Sequence, residues 1–309
     1  MYEGLAGQLA SDPKFQTERV TQTYHYANLL KLVGHLEEAA AEYRQAVELS
    51  ERILEARPSD QEGKIHLATS LDGLGNVLQE TGDTAGAREN RRRGLAIREE
   101  LARLDPNNAH YRRQLAFSHH NVGLSLVEAG DHSAALMQFR EELSLFETLS
   151  SADPKDVQGR RNRSLAHNQI GDVLMRSGEV RGALAEYRVA LDIDRDLVVK
   201  DPGNWQAILD LSFSESKVGS AMGKLGQVRE ALIILRSGVA ITWRTATRLA
   251  NCMLDSGDTK GAIEYYRRAV AAPLALSEKS PNSSANRGAL AECYTNLAKA
   301  LGPIDPMMP

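Results

Sequence analysis

Little in this sequence points to chemistry. Aromatic residues are only 5% of the chain, so any interior has to be built mainly from Leu, Ala, Val and Ile. Two cysteines, Cys252 and Cys293, cannot staple a disulfide framework; they suit a reducing compartment, and a cytoplasmic location is expected. The longest unbroken apolar run, Ala231 to Leu235, is too short to cross a bilayer. Met1-Tyr2-Glu3-Gly4 is not a charged stretch leading into an apolar one, so no signal peptide is read. A net charge of −4 gives no general attraction to nucleic acid or to an anionic membrane. Phosphate-binding Gly-rich loops, His-Glu-x-x-His, Gly-x-Ser-x-Gly and the protein-kinase signatures are all missing. The expectation is a chain with no catalytic residues, no cofactor and no metal, acting as a monomer.

What is present is a period. Charged residues at 25% and hydrophobic ones at 42% fit a folded, soluble-type composition. Gly34, Gly82, Gly130, Gly178 and Gly226 are evenly spaced along the chain, and Pro58, Pro106, Pro154 and Pro202 keep the same spacing. Two independent combs with one tooth spacing mark a repeat array, in which each unit buries its apolar face against its neighbours. Each half-unit reads as an amphipathic helix: Leu67, Leu71, Leu74 and Leu78 step by 4, 3 and 4, one face of a 3.6-residue helix. Gly82-Asp83 supplies a residue free to take positive φ and then an N-cap. Asp105-Pro106, Asp153-Pro154 and Asp201-Pro202 should end each second helix, because the residue before proline is pushed out of the α region.

Inside the unit, Ile170-Gly171, Leu174, Ala183, Tyr187 and Pro202 follow the tetratricopeptide pattern of Leu-Gly-x-x-Tyr, Ala-x-x-x-Phe and Pro. Val122-Gly123 with Leu126, Ala135 and Phe139 repeats it, as does Val218-Gly219 with Met222, Ala231 and Leu235; Arg91 departs where an aromatic is usual. The chain resembles the tetratricopeptide family, in an extended form with about seven residues, two turns, added to each helix; such an insertion keeps the apolar face in phase. This long form looks like the tracts that follow the kinase domain in many bacterial serine/threonine protein kinases, which share the phrase seen here from Leu115 to Gly123. The resemblance implies an all-α, right-handed superhelical solenoid of antiparallel helix hairpins. One array over residues 1–302 is expected, with a half-repeat at 1–12, a shorter unit closing at Gly257, a terminal helix to Gly302, and a disordered tail at 303–309. Leu9 to Pro13 reads as the end of a second helix. Gly75, Gly123, Gly171 and Gly219 are expected at close helix crossings, with Ala87, Ala135 and Ala183 in the opposing slot.

The resemblance also implies a function: a protein- or peptide-binding scaffold, the docking or sensor arm of a larger bacterial signalling protein. An RNA-binding helical-repeat protein and an enzyme are the alternatives. The partner would lie in a groove lined by the first helix of each hairpin, on a stripe that ends three positions before each closing glycine. That stripe yields Tyr24 and Asn28, Asp72 and Asn76, Phe117, His120 and Leu124, Leu165, Asn168, Asp172 and Met175, and Phe213 and Ser216. Family members that grip a C-terminal carboxylate place lysine, asparagine and arginine here. Asn28 and Asn76 fit that scheme, while Tyr24 and Asp72 stand where a lysine is wanted. His119 and His167, at equivalent places in neighbouring copies, are read as histidines bonded to a neighbour rather than as metal ligands. The arginines at 91–93, 112–113, 160–161 and 163 are read as an ion-paired face, and Asp192, Asp194, Asp196 and Asp201 as a solvated helix end.

Overall fold

The computed structural model describes residues 12–153, 155–201, 204–237, 243–255, 257–279 and 284–301. Among the described residues every regular element is an α-helix. The helices are α1 (Pro13–Leu32), α2 (Leu36–Ala56), α3 (Gln61–Glu80), α4 (Thr84–Leu104), α5 (Ala109–Glu128), α6 (His132–Ala152) and α7 (Val157–Arg176). They continue as α8 (Val180–Lys200), α9 (Trp205–Lys224), α10 (Val228–Ser237), α11 (Trp243–Asp255), α12 (Thr259–Lys279) and α13 (Ser284–Leu301). The chain divides into two compact units, Met1–Asp153 and Pro154–Pro309. In the first, α1/α2, α3/α4 and α5/α6 are hairpins, and α2 packs on α3 and α4 on α5. In the second, α7 pairs with α8 and α8 packs on α9, followed by the shorter α10 and α11, with 10 and 13 residues. The expected half-repeat and tail fall, apart from Asp12, outside the described residues.

Local chemistry sets these boundaries. Each closing glycine has positive φ, from +75° at Gly226 to +90° at Gly82, the conformation that ends a helix without a Cβ penalty. After Gly82 and Gly130 the next helix starts on a side-chain cap, Asp83 accepting from the Gly86 N–H (2.9 Å) and Asp131 from that of Ala134 (3.0 Å), whereas His35 and Glu179 start theirs without one. Second helices stop just short of proline, with Asp105, Asp153 and Asp201 as C-caps. Asp12-Pro13 behaves differently from the reading above. Asp12 caps the Lys14 and Phe15 N–H groups at the start of α1. It stands as far before Gly34 as the first-helix caps Asp60, Asn108, Asp156 and Asn204 stand before their own closing glycines.

The apolar stripes meet as their period demands. Leu71, Val77 and Ile170 are at most 1% exposed, each worth about 1.5–3 kcal/mol of burial. The close crossings at Gly75, Gly123 and Gly171 are real, but their occupants differ from the expected alanines. A Cβ on Gly123 would stand 2.6 Å from the Phe139 ring, and one on Gly171 2.4 Å from the Tyr187 ring. The aromatic of the second helix lies against the glycine of the first, and Ala135 and Ala183 are buried as well. At Gly75 the neighbours are the Arg91 chain (3.1 Å) and the Ala87 carbonyl oxygen (3.2 Å).

Candidate partner-binding face

The positions expected to line a groove are not equivalent once their partners are seen. One position of the stripe, held by Asn28, Asn76, Leu124 and Asp172, faces the second helix of its own hairpin. Tyr43 donates to Asn28 (2.6 Å), Arg91 to Asn76 (3.1 Å) and Tyr187 to Asp172 (2.7 Å), and Tyr266 pairs with Asn251. Where the second helix offers Phe139, which has nothing to donate, the first offers Leu124. The alternation of polar and apolar residues along this stripe is therefore matched to hairpin closure. Asn28, Asn76 and Asp172 are struts, and Leu124 is the copy left unbonded. Burial also explains the Tyr43 hydroxyl, which desolvation pushes up to about 12, with Tyr24 and Glu80 adding to the effect.

The remaining positions sort by depth. Tyr24 is half-buried and meets Tyr43 edge to face at 5.6 Å. Asp72 lies 2.7 Å from Arg98; burial raises its carboxyl and Arg98 opposes the rise. His120 contacts Glu142 (3.2 Å), which is buried and raised by that burial. Phe117 and Leu124, on α5, are 41% and 40% exposed, and the Phe117 ring stands edge-on to buried Phe146 at 5.7 Å. In the second unit Leu165, Met175 and Phe213 are half-buried. Asn168 and Ser216, expected on the groove, are only 6% and 2% exposed, and Asn168 donates to Ser214 (2.9 Å) between α7 and α9. Their side chains belong to the interior. Asp172 is half-buried and already taken by Tyr187 and by Lys217 (2.5 Å).

His119 bonds Gln138 (2.9 Å) and His167 bonds Glu186 (2.7 Å), each within its own hairpin. Among the described residues no group of three His, Cys, Asp or Glu side chains is placed to hold a metal. The arginine run is split by the helix: Arg92 pairs with Glu89 and Arg93 with Glu51, but Arg91 is 7% exposed, filling the slot of the missing aromatic. Arg160 pairs with Asp196 and Arg161 with Asp210. Of the four aspartates expected on a solvated end, Asp194 is the correction: it is 0% exposed and accepts from Ser214 (2.5 Å). It lies as far past Gly178 as buried Arg98 lies past Gly82. That placement was available in the sequence; a run of aspartates hid it. The strut pairing, at one constant separation in each hairpin that has one, was equally available from lining up the copies.

Stacked helical hairpins with closing glycines, small residues under aromatics and matched struts define a tetratricopeptide-type repeat array. Family models for the tetratricopeptide repeat match residues 24–53 and 67–102. No curated protein matches the sequence. Among solved structures, BtubC (BKLC) from P. vanneervenii is similar at TM-score 0.59 and 16% identity, over 80% of this chain and 94% of that one. The apo form of RapI matches at TM-score 0.60 and 17% identity, over 97% and 78%. The apo form of the quorum sensor NprR from B. thuringiensis matches at 0.60 and 12%, over 95% and 73%. At such identities these likenesses speak for the fold. No helix among the described residues is long and apolar enough to cross a membrane.

Proposed function

We propose that the chain is a protein- or peptide-binding scaffold and that the face of α5 in the first unit holds the partner, with the array serving as docking or sensor arm of a larger bacterial signalling protein. The observation that carries the reading is the pair Phe117 and Leu124, seven residues apart on one helix face and each about two-fifths exposed. Apolar groups left on a polar surface favour association, and the Phe117 ring is already braced against Phe146, so binding orders little. His120 between them supplies a polar group, as a mostly apolar site requires. Parallel first helices offer ridges and pockets but no strand edge, which suits an amphipathic helix or an extended peptide. The long-repeat resemblance to kinase-associated tracts, and a quorum sensor among proteins of similar fold, support a signalling setting.

A peptide display selection against the full chain, counter-screened with Phe117→Asp/Leu124→Asp, tests this. Selected peptides should bind the double variant at least about tenfold more weakly, the loss expected of a hot-spot pair, at a temperature where circular dichroism shows the variant still fully folded. Equal binding by both proteins would refute the assignment. A steep fall of affinity with salt would instead favour a phosphate-bearing ligand.

A further inference from the structure

The first unit carries a cavity that the ordinary repeat could not build. Ile65 and Thr69 of α3, Arg98 and Leu101 of α4, and Tyr111 and Gln114 of α5 enclose about 220 Å³. The family pattern opens three residues ahead of its Leu-Gly pair, at Leu71 in α3 and His119 in α5. Ile65, Tyr111 and Gln114 all precede those points, and Arg98 and Leu101 lie about two turns or more beyond the aromatic position held by Arg91. The walls therefore come almost wholly from the added helical turns.

Its chemistry is specific. Leu101 is 2% exposed, and the Tyr111 ring is held by its hydroxyl, which donates to Gln61 (3.2 Å). The Arg98 side chain is 7% exposed, and both its contacts run through Nη1: the Asp72 carboxylate at 2.7 Å and the Ser118 hydroxyl at 2.8 Å. Nη2 and Nε have no partner among the described residues, nor has the Gln114 amide. None of these donors is sealed from solvent, so an oxygen that enters the cavity can take the hydrogen bonds that water otherwise accepts. Asp72 already balances the charge of Arg98, which favours a neutral oxygen over an anion, since a second negative charge would face Asp72 across a low-dielectric gap. A dry cavity of about 150 Å³ is enough for a benzene ring, and this one has room for a ring that carries an oxygen.

We propose that this cavity takes the side chain of a tyrosine from the bound peptide, its phenol oxygen accepting from Arg98 and the adjoining peptide group bonding Gln114. The proposal rests on the reading of this face as the partner-binding one. The probes are N-acetyltyrosinamide, N-acetylphenylalaninamide and the phosphorylated tyrosine amide, titrated into the full chain while the Gln114 amide and Tyr111 ring are followed by NMR. The tyrosine amide should shift both signals saturably, and the phenylalanine amide should bind about fivefold more weakly, the worth of one hydrogen bond. The phosphorylated probe should be weaker still. Thr69→Trp, which fills the mouth, should abolish the shifts, and Gln114→Leu should weaken the tyrosine probe without unfolding the chain. No shift with any probe, equal affinity of the first two, or tighter binding of the phosphorylated one overturns the proposal. Selected peptides that lose affinity with Phe117→Asp yet bind Thr69→Trp fully would sink the cavity and leave the face standing.

Discussion

Arg98 in the first unit and Asp194 in the second occupy the same place: each lies equally far past its closing glycine and equally far before a serine on the next first helix. Both are buried, and each meets that serine, Arg98 giving a hydrogen to Ser118 and Asp194 taking one from Ser214. A serine accepts either sign because its hydroxyl is both donor and acceptor. The charges themselves are settled differently. Arg98 has the Asp72 carboxylate at 2.7 Å. Asp194 has no such counter-ion in contact among the described residues, since Arg161 is engaged with Asp210. Burial therefore drives Asp194 up to about 6, with the Ser214 and Ser164 hydroxyls opposing and Asp210 adding to the rise. One scaffold position thus holds a paired charge in one unit and an unpaired acid that titrates at about 6 in the other.

Removing the paired charge should have the largest effect. Arg98→Leu leaves the largely buried Asp72 without its cation, and breaking such a pair costs about 3–5 kcal/mol in urea denaturation. Adding Asp72→Asn should recover a good part of that loss; a double variant as unstable as the single would show that Arg98 acts through packing alone.

In the second unit the sign reverses. Asp194 is raised in the folded state above its ordinary 3.8, so the folded chain binds more protons between about pH 4 and pH 6. Its contribution is a penalty, present above about pH 6 and relieved as the pH falls toward 4. Asp194→Asn should stabilise the chain by about 2–3 kcal/mol at pH 7.5 and by nothing near pH 4. A pH-independent difference would mean that Asp194 keeps its charge throughout.

Exchanging one hairpin's strut for another's should matter less. Arg91→Phe strands Asn76 and Ser125 without their donor, at about 1–3 kcal/mol for an unsatisfied buried group. Arg91→Phe with Asn76→Leu copies the Phe139/Leu124 pair and should cost measurably less in the same denaturation assay. Smallest is Asp83→Ala, which removes a helix cap common to both kinds of hairpin and should cost about 1 kcal/mol in a thermal melt.

Fold and site were legible to different depths. The glycine and proline combs located nearly every helix end, because these residues act on the backbone next to them and need no tertiary knowledge. Asp12-Pro13 misled because the same dipeptide closes a helix when aspartate is the C-cap and opens one when it is the N-cap; only its distance to Gly34 separates the two. The stripe of groove positions was visible, but helical spacing says which residues share a face and not what stands opposite. Asn168 meets the next first helix, while Asn28, Asn76 and Asp172 face the second helix of their own hairpins. The cavity beside Arg98 lay beyond reach, since it depends on three helices and on which of the five guanidinium hydrogens are already used.

A Cβ built on Gly34, Gly82 or Gly130 meets nothing within 4 Å. No side chain presses on these joints; backbone hydrogen bonds such as His35 N–H to Leu30 O and Asp131 N–H to Leu126 O (both 2.9 Å) close them, and the chain can be spliced there as at the links of a strap. Excising residues 35–82 joins Gly34 to Asp83 in phase and sets Asn28 opposite Arg91, a strut of the native kind, though Arg98 loses Asp72. Excising residues 83–130 joins Gly82 to Asp131 and sets Asn76 against Phe139, which has no hydrogen to give. The two shortened chains carry identical seams, so the paired side chains across the hairpin, and not the joint, decide which links are interchangeable.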